Sequence, residues 1–224
     1  MNYGIKVPKT QAPDKNALTL HYPHQLKLEE RIWTENYRQY ISIDPAIRNL
    51  AIRVEKRYDD GQIVCLFSDK YDPLESVNVN IENKEVLSNL LFVNITNILN
   101  KLKPYFEETH YVIIERQMVQ NYKATRVMQH LISYFMIHLQ DKYFLASIYE
   151  IDSKLKGKML ECEKGIRENE LKKWAVQKAL ELAEKRKDEY TIKLINKTRK
   201  KDDLADVLCQ IEAFCIYMGF PKTK

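Results

Sequence analysis

Tyr40-Ile41-Ser42-Ile43-Asp44-Pro45 is the stretch whose reading decides the fold. A short β-branched run that closes at Asp-Pro reads as a buried strand, because Ile favours a pleated surface and Pro cannot extend the ladder. Outward from it, residues 50–54 (Leu-Ala-Ile-Arg-Val) read as a second strand and residues 63–67 (Ile-Val-Cys-Leu-Phe) as a third. Asp59-Asp60-Gly61 lies between those two, and its Asp-Gly step supplies the positive φ angles of a tight hairpin. An antiparallel meander is expected. Farther along, Val112-Ile113-Ile114 is apolar without alternation, as a central strand covered on both faces would be, and it closes on Glu115.

The 3.6-residue period places Leu87, Leu90, Leu91, Ile95, Ile98 and Leu102 on one helix face, ended by Pro104. Residues 123–139 carry Val127, Leu131, Ile132, Phe135, Met136 and Leu139 at helical spacing. Met128, Tyr134 and Ile137 make that helix apolar over most of its circumference, so it is either sandwiched in the core or shared with a second subunit. A fifth strand is expected over 143–149. After it come a loop with Gly157 and Gly165, then a helix bearing Leu171, Trp174, Ala175, Ala179 and Leu182. A basic linker over 185–201 leads into a last helix from Asp202 to about Met218. The order is βββαβαβαα, an α/β chain with a mixed five-stranded sheet flanked by helices. Residues 1–37, with Pro8, Pro13 and Pro23, read as an extension holding a short helix over 26–37, and 38–224 as the domain.

At 224 residues, 45% hydrophobic and 30% charged, the composition is that of a globular chain. No apolar run approaches the roughly 20 residues a membrane span needs. The N-terminus lacks an apolar signal region, which points to an intracellular protein with Cys65, Cys162, Cys209 and Cys215 reduced. Net charge is +5, but residues 153–201 hold 16 Lys or Arg against 8 Asp or Glu. That local surplus of 16 − 8 = +8 leaves about −3 for the rest of the chain. A basic stretch running into acids suits a protein that holds a polyanion, although solvated helices also carry Lys and Arg.

Four acids stand out: Asp44 and Glu115 at strand ends, and Asp203 and Asp206 three apart at the start of the last helix. Each has an innocent explanation. Asp before Pro opens turns, a strand-end Glu can face water, and acids favour a helix N-terminus. Their conjunction is less ordinary. Asp203 and Asp206 share a helix face, and carboxylates that converge need a partner, for which a hard divalent cation is suited.

These residues also carry a resemblance. Ser42-Ile43-Asp44-Pro45, Ile113-Ile114-Glu115-Arg116-Gln117 and Lys201-Asp202-Asp203-Leu204-Ala205-Asp206 resemble, in order and spacing, the RuvC-like Holliday junction resolvases of the RNase H superfamily. The poxvirus-type viral resolvases look most similar, over about residues 38–218. The resemblance implies an RNase H-like fold and a homodimer that cuts four-way DNA junctions symmetrically. It also implies two Mg²⁺ ions, with Mn²⁺ able to substitute, and a cytoplasmic site of viral DNA replication, with nucleus or mitochondrion left open. Asp44, Glu115, Asp203 and Asp206 stand where the family keeps its metal-binding acids, with Asp202 as a neighbouring candidate. Lys173 resembles the family's catalytic lysine, with Lys172 as its rival, and Lys154 and Lys156 match a second basic position. Arg116, Lys123, Arg126, Lys154, Lys156 and Lys172 are the expected contacts to the DNA backbone.

Other readings remain open at this level. Another RNase H-type nuclease, acting on RNA–DNA hybrids, flaps or branched DNA, would carry nearly the same acids. A non-catalytic nucleic-acid-binding protein could keep the fold. A nucleotide-binding fold of the actin or sugar-kinase type is disfavoured by the lack of a Gly-rich phosphate loop, with only 5 Gly in the chain.

Overall fold

Alternation along the strands sets the architecture. The computed structural model describes residues 17–21, 35–75, 84–139, 146–163 and 165–220. β2 (Tyr37–Asp44), β3 (Leu50–Tyr58) and β4 (Ile63–Tyr71) form the expected antiparallel meander. Gly61 turns the β3–β4 hairpin at φ 93°, donating its N–H to the Tyr58 carbonyl at 3.0 Å. β5 (Tyr111–Glu115) lies parallel to β2, and β6 (Ser147–Ile151) parallel to β5.

The sheet has six strands rather than five. β1 (Leu18–His21), inside the stretch read as an extension, pairs antiparallel with β6 and completes the order β1-β6-β5-β2-β3-β4. Four residues flanked by polar sequence carry no period of their own, and β1 exists because β6 offers it an edge. Most of the helix expected over 26–37 and the start of the strand expected over 143–149 lie outside the described residues, while Tyr37, the last residue of that helix, instead opens β2.

Successive side chains of a strand point to opposite faces. Ile41, Ile43, Ile52, Val54, Val112 and Ile114 face one core, packed under α1 (Lys84–Leu102) and α2 (Tyr122–His138). Each such Ile or Val contributes roughly 1.5–3 kcal/mol by leaving water. Most apolar residues of α2 belong to this core, whereas Tyr122 and Ile137 stay exposed.

Tyr40, Tyr111, Ile113 and Ile151 face a second core, under α3 (Lys154–Met159), α4 (Glu168–Lys185), α5 (Glu189–Lys197) and α6 (Asp202–Tyr217). α5 falls within the segment expected to be a linker. Its buried stripe is Thr191 and Ile195, with Leu194 packed beside them, a short amphipathic helix inside a stretch rich in Lys and Arg. α6 is buried from Leu204 to Cys215 apart from Asp206, which a helix pressed between a sheet and other helices requires.

The same face of β3 carries charge. Arg53, Glu55 and Arg57 alternate with apolar neighbours, as on a strand with one wet side, yet the helices cover them. Glu55 lies 2.8 Å from Arg53, 2.7 Å from Arg57 and 3.6 Å from Arg186. Arg57 also meets Glu212 of α6 at 2.9 Å, and Arg53 meets Asp188 at 3.1 Å. Burial alone would raise the Glu55 pKa, but the surrounding guanidiniums hold it at about 2. Three guanidiniums against three carboxylates make a neutral buried network that ties β3 to α4, α5 and α6.

Candidate active site

Alternation also decides where the strand-end acids point. Asp44 continues the face of Tyr40 and Ser42, and Glu115 that of Tyr111 and Ile113, so both aim toward α6. Ile43 is paired with Ile114 in the parallel ladder, which sets the two acids side by side at the ends of adjacent strands. α6 is anchored over this point by Gln210, whose amide donates to the carbonyls of Ile43 at 3.4 Å and Ile113 at 3.2 Å. Asp206 lies one helical turn before Gln210, and Asp203 nearly one turn farther, over the strand ends.

One ammonium group links two of the acids. Lys156 Nζ donates to Glu115 Oε2 at 3.0 Å and meets Asp206 Oδ1 at 2.8 Å. On the other side, Lys70 Nζ of β4 lies 3.3 Å from Asp203 Oδ2 and donates to the Lys200 carbonyl at 2.9 Å. Among the described residues no ion pair reaches Asp44. Burial first, then the charges of Glu115 and Asp206, push its carboxyl well above the ordinary range, with Lys156 only partly offsetting them. Glu115 is raised by burial against the opposing pull of Lys156, with Asp206 adding to the rise. Asp203 is raised by burial and by its neighbour Asp202, while Lys70 draws it down. For Lys156, burial opposes the charge, but Glu115 and Asp206 outweigh it and hold the ammonium protonated. Four carboxylates from three elements therefore share one electrostatic neighbourhood.

Whether they suit a metal ion is a question of donor chemistry. The donors are all carboxylate oxygens, the set that hard divalent cations take. A cation, the Lys156 ammonium, already sits between two of them. Among the described residues, no three His, Cys, Asp or Glu side chains are gathered closely enough to grip an ion as they stand. The set fits a divalent ion in kind and charge.

A cleft of about 980 Å³ opens beside Glu115 and Asp206, lined by Lys154, Lys156, Lys158 and Lys172. Lys173 lies outside it. With Lys172, Arg199, Lys201 and Asp202 it lines a neighbouring groove of about 630 Å³ between α4 and the start of α6. Of the lysines named from the sequence, the one that touches the acids is therefore Lys156, and Asp202 lines the second groove. Arg116 is engaged by Glu150 at 2.5 Å and by Thr19 at 2.6 Å, tying the end of β5 to β6 and β1. Lys123 and Arg126 are exposed near the start of α2, with Arg126 resting over the Phe92 ring at 4.8 Å.

Two site residues escaped the sequence reading, and a third was read in a different role. Lys70 sits on an edge strand, 133 residues before the acid it pairs with, and its sequence neighbours Asp69 and Asp72 give no sign of that partner. Gln210 was detectable in principle, as a lone amide in the apolar run Val-Leu-Cys-Gln-Ile. Lys156 was read as a match to the family's second basic position and as a DNA contact, and its pairing with Glu115 and Asp206 depends on the short helix α3.

A six-stranded mixed sheet in this order, with helices on both faces and acids at the ends of its central parallel strands, is an RNase H-like fold. Comparison with solved structures agrees. The chain is similar to the yeast mitochondrial Holliday junction resolvase Ydc2, with a TM-score of 0.59, 15% identity and 83% of each chain covered. It is also similar to Thermus thermophilus RuvC, with a TM-score of 0.50, 12% identity, and 83% of this chain and 99% of that one covered. RuvC bound to a Holliday junction substrate gives the same score at 14% identity. At such identities the likeness is one of fold. No family model matches the chain. In sequence, it is 28% identical over 142 residues to the uncharacterized protein 170L of Invertebrate iridescent virus 6. It is 29% identical over 124 residues to the uncharacterized protein 97L of Invertebrate iridescent virus 3. Each alignment covers 55% of this chain, which spans little more than half, 57%, of those relatives.

Proposed function

We propose that the chain is a divalent-metal-dependent endonuclease that resolves four-way DNA junctions as a symmetric homodimer. What supports this reading is that buried Asp44, at the end of β2, feels the charges of Glu115, Asp206 and Asp203. Solved structures of the same fold include two Holliday junction resolvases, which supports the choice of substrate.

Asp44, central between Glu115 and the α6 acids, would hold Mg²⁺ or Mn²⁺ together with Glu115, Asp203 and Asp206. Two such ions, when bound, supply Lewis acidity to an attacking water and to the leaving 3′ oxygen. The chain's own residues do the rest. The buried network beneath β3 and the Gln210 amide fix α6, and so hold Asp203 and Asp206 over the strand ends. Lys154, Lys158 and Lys172 in the cleft would attract phosphates, and Lys156 or Lys173 would offset charge on the scissile one. Lys123 and Arg126 stand near the start of α2, after the loop that follows Glu115, and would extend the path of the backbone. Symmetric resolution needs two matched cuts, for which a two-fold pair of sites is the natural arrangement. α2, with Tyr122 and Ile137 exposed, would supply the face for that pairing.

The test is Asp44→Asn against wild type on a labelled four-way junction with Mg²⁺. Cleavage should be abolished while junction binding in a gel-shift titration stays near wild type. A variant that still cuts at near wild-type rate removes Asp44, and with it the proposed centre.

A further inference from the structure

Lys156 is placed unlike the other lysines of its helix. Lys154 and Lys158 extend into solvent, whereas Lys156 is only 8% exposed and its Nζ lies between Glu115 and Asp206 at 3.0 and 2.8 Å. A lysine on a short surface helix ordinarily keeps its ammonium in water, so turning it inward requires a compensating charge. Here two carboxylates provide it, from elements that nothing else joins by an ion pair at this point. Lys70 does the same for Asp203 on the opposite side, at 3.3 Å.

We infer that the Lys156 ammonium is an internal counter-ion, which holds Glu115 and Asp206 together in the metal-free protein and competes with a divalent cation for them. The inference rests on the metal site proposed above. A carboxylate oxygen engaged by an ammonium at 2.8 Å is not free to bind a cation, and two positive charges that close repel strongly. Metal entry at this pair therefore requires Nζ to leave. The four-carbon stem and the adjoining cleft give it somewhere to go, toward the space that a DNA phosphate would fill. Polyanion and metal binding are then coupled in the same direction, because an anion that draws Lys156 away frees the acids.

Mn²⁺ titration calorimetry on the whole chain tests this, with wild type, Lys156→Met, Lys156→Arg and Lys154→Met. Lys156→Met should bind Mn²⁺ on the order of tenfold more tightly, since a competing charge at contact distance is gone. Lys156→Arg keeps the charge and Lys154→Met removes an outward one, so both should stay near wild type. If Lys156→Met fails to fold in EDTA, Mn²⁺ should restore its circular dichroism, the ion taking the place of the ammonium. Unchanged or weaker Mn²⁺ binding by Lys156→Met, or no rescue by Mn²⁺, overturns the inference while wild-type binding leaves the metal site standing. No Mn²⁺ binding by wild type or any variant overturns both.

Discussion

Asp44 is the residue on which the electrostatics of the site converge. Its carboxyl is pushed well above the ordinary value of 3.8 by burial and by Glu115 and Asp206. A carboxyl raised in the folded chain holds its proton more readily there than in the unfolded chain. Stability from the group is therefore full below pH 3.8 and is lost as pH rises through the raised value. Asp44→Asn removes that loss. In EDTA the variant should melt above wild type near pH 8, by about 2–4 °C for each kcal/mol of repulsion relieved. The gap should narrow as pH falls and the wild-type carboxyl regains its proton. The comparison has to be made between the two proteins, because His110 works in the opposite direction. Burial lowers its imidazole to about 4, so stability is lost as pH falls from 6.5 toward that value in both. A melting difference independent of pH would mean that Asp44 is not confined among the other acids.

At the scale of elements, α6 is held to the sheet by charge as well as by apolar packing. Glu55 on β3 is fully buried and faces Arg53, Arg57 and Arg186, and Arg57 reaches Glu212 on α6. Removing one member strands the others without a partner. Glu55→Gln should therefore cost about 3–5 kcal/mol in urea unfolding, far above a surface substitution. A loss under about 1 kcal/mol would show the network to be solvated. The contrast with the acids marks what was legible in the sequence. Asp44 and Glu115 could be read because each closes an apolar run, and period two then fixes the face they share. Asp203 and Asp206 could be read because three residues is nearly one helical turn. Arg53, Glu55 and Arg57 could not, because alternation looks the same whether the polar face meets water or a layer of helices. β1 and α5 were missed for a related reason, since each is short and lies in a stretch read from its composition, β1 as an extension and α5 as a basic linker. Lys70 and the inward turn of Lys156 are tertiary facts, fixed only when β4 and α3 come to lie beside α6.

For the molecule as a whole, charge is arranged by depth. Of the 16 basic residues in 153–201, Lys156 and Arg186 are turned inward to acids, while the other lysines lining the two grooves stay at the surface. The basic surplus is thus carried beside the acid centre, on the side where a polyanion would approach it. Exposed Tyr122 and Ile137 lie on α2, packed against the opposite face of the sheet from α6. A two-fold contact through α2 would leave both clefts free, one for each strand to be cut. The most direct measurement is the mapping of cuts on an end-labelled four-way junction in Mg²⁺, beside a linear duplex, a Y-fork and an RNA–DNA hybrid of matched sequence. The expected result is paired nicks at symmetric positions on two opposing strands of the junction, with the other substrates cut far more slowly. Nicks confined to the hybrid or the fork, or no metal-dependent cleavage of the junction, would contradict it.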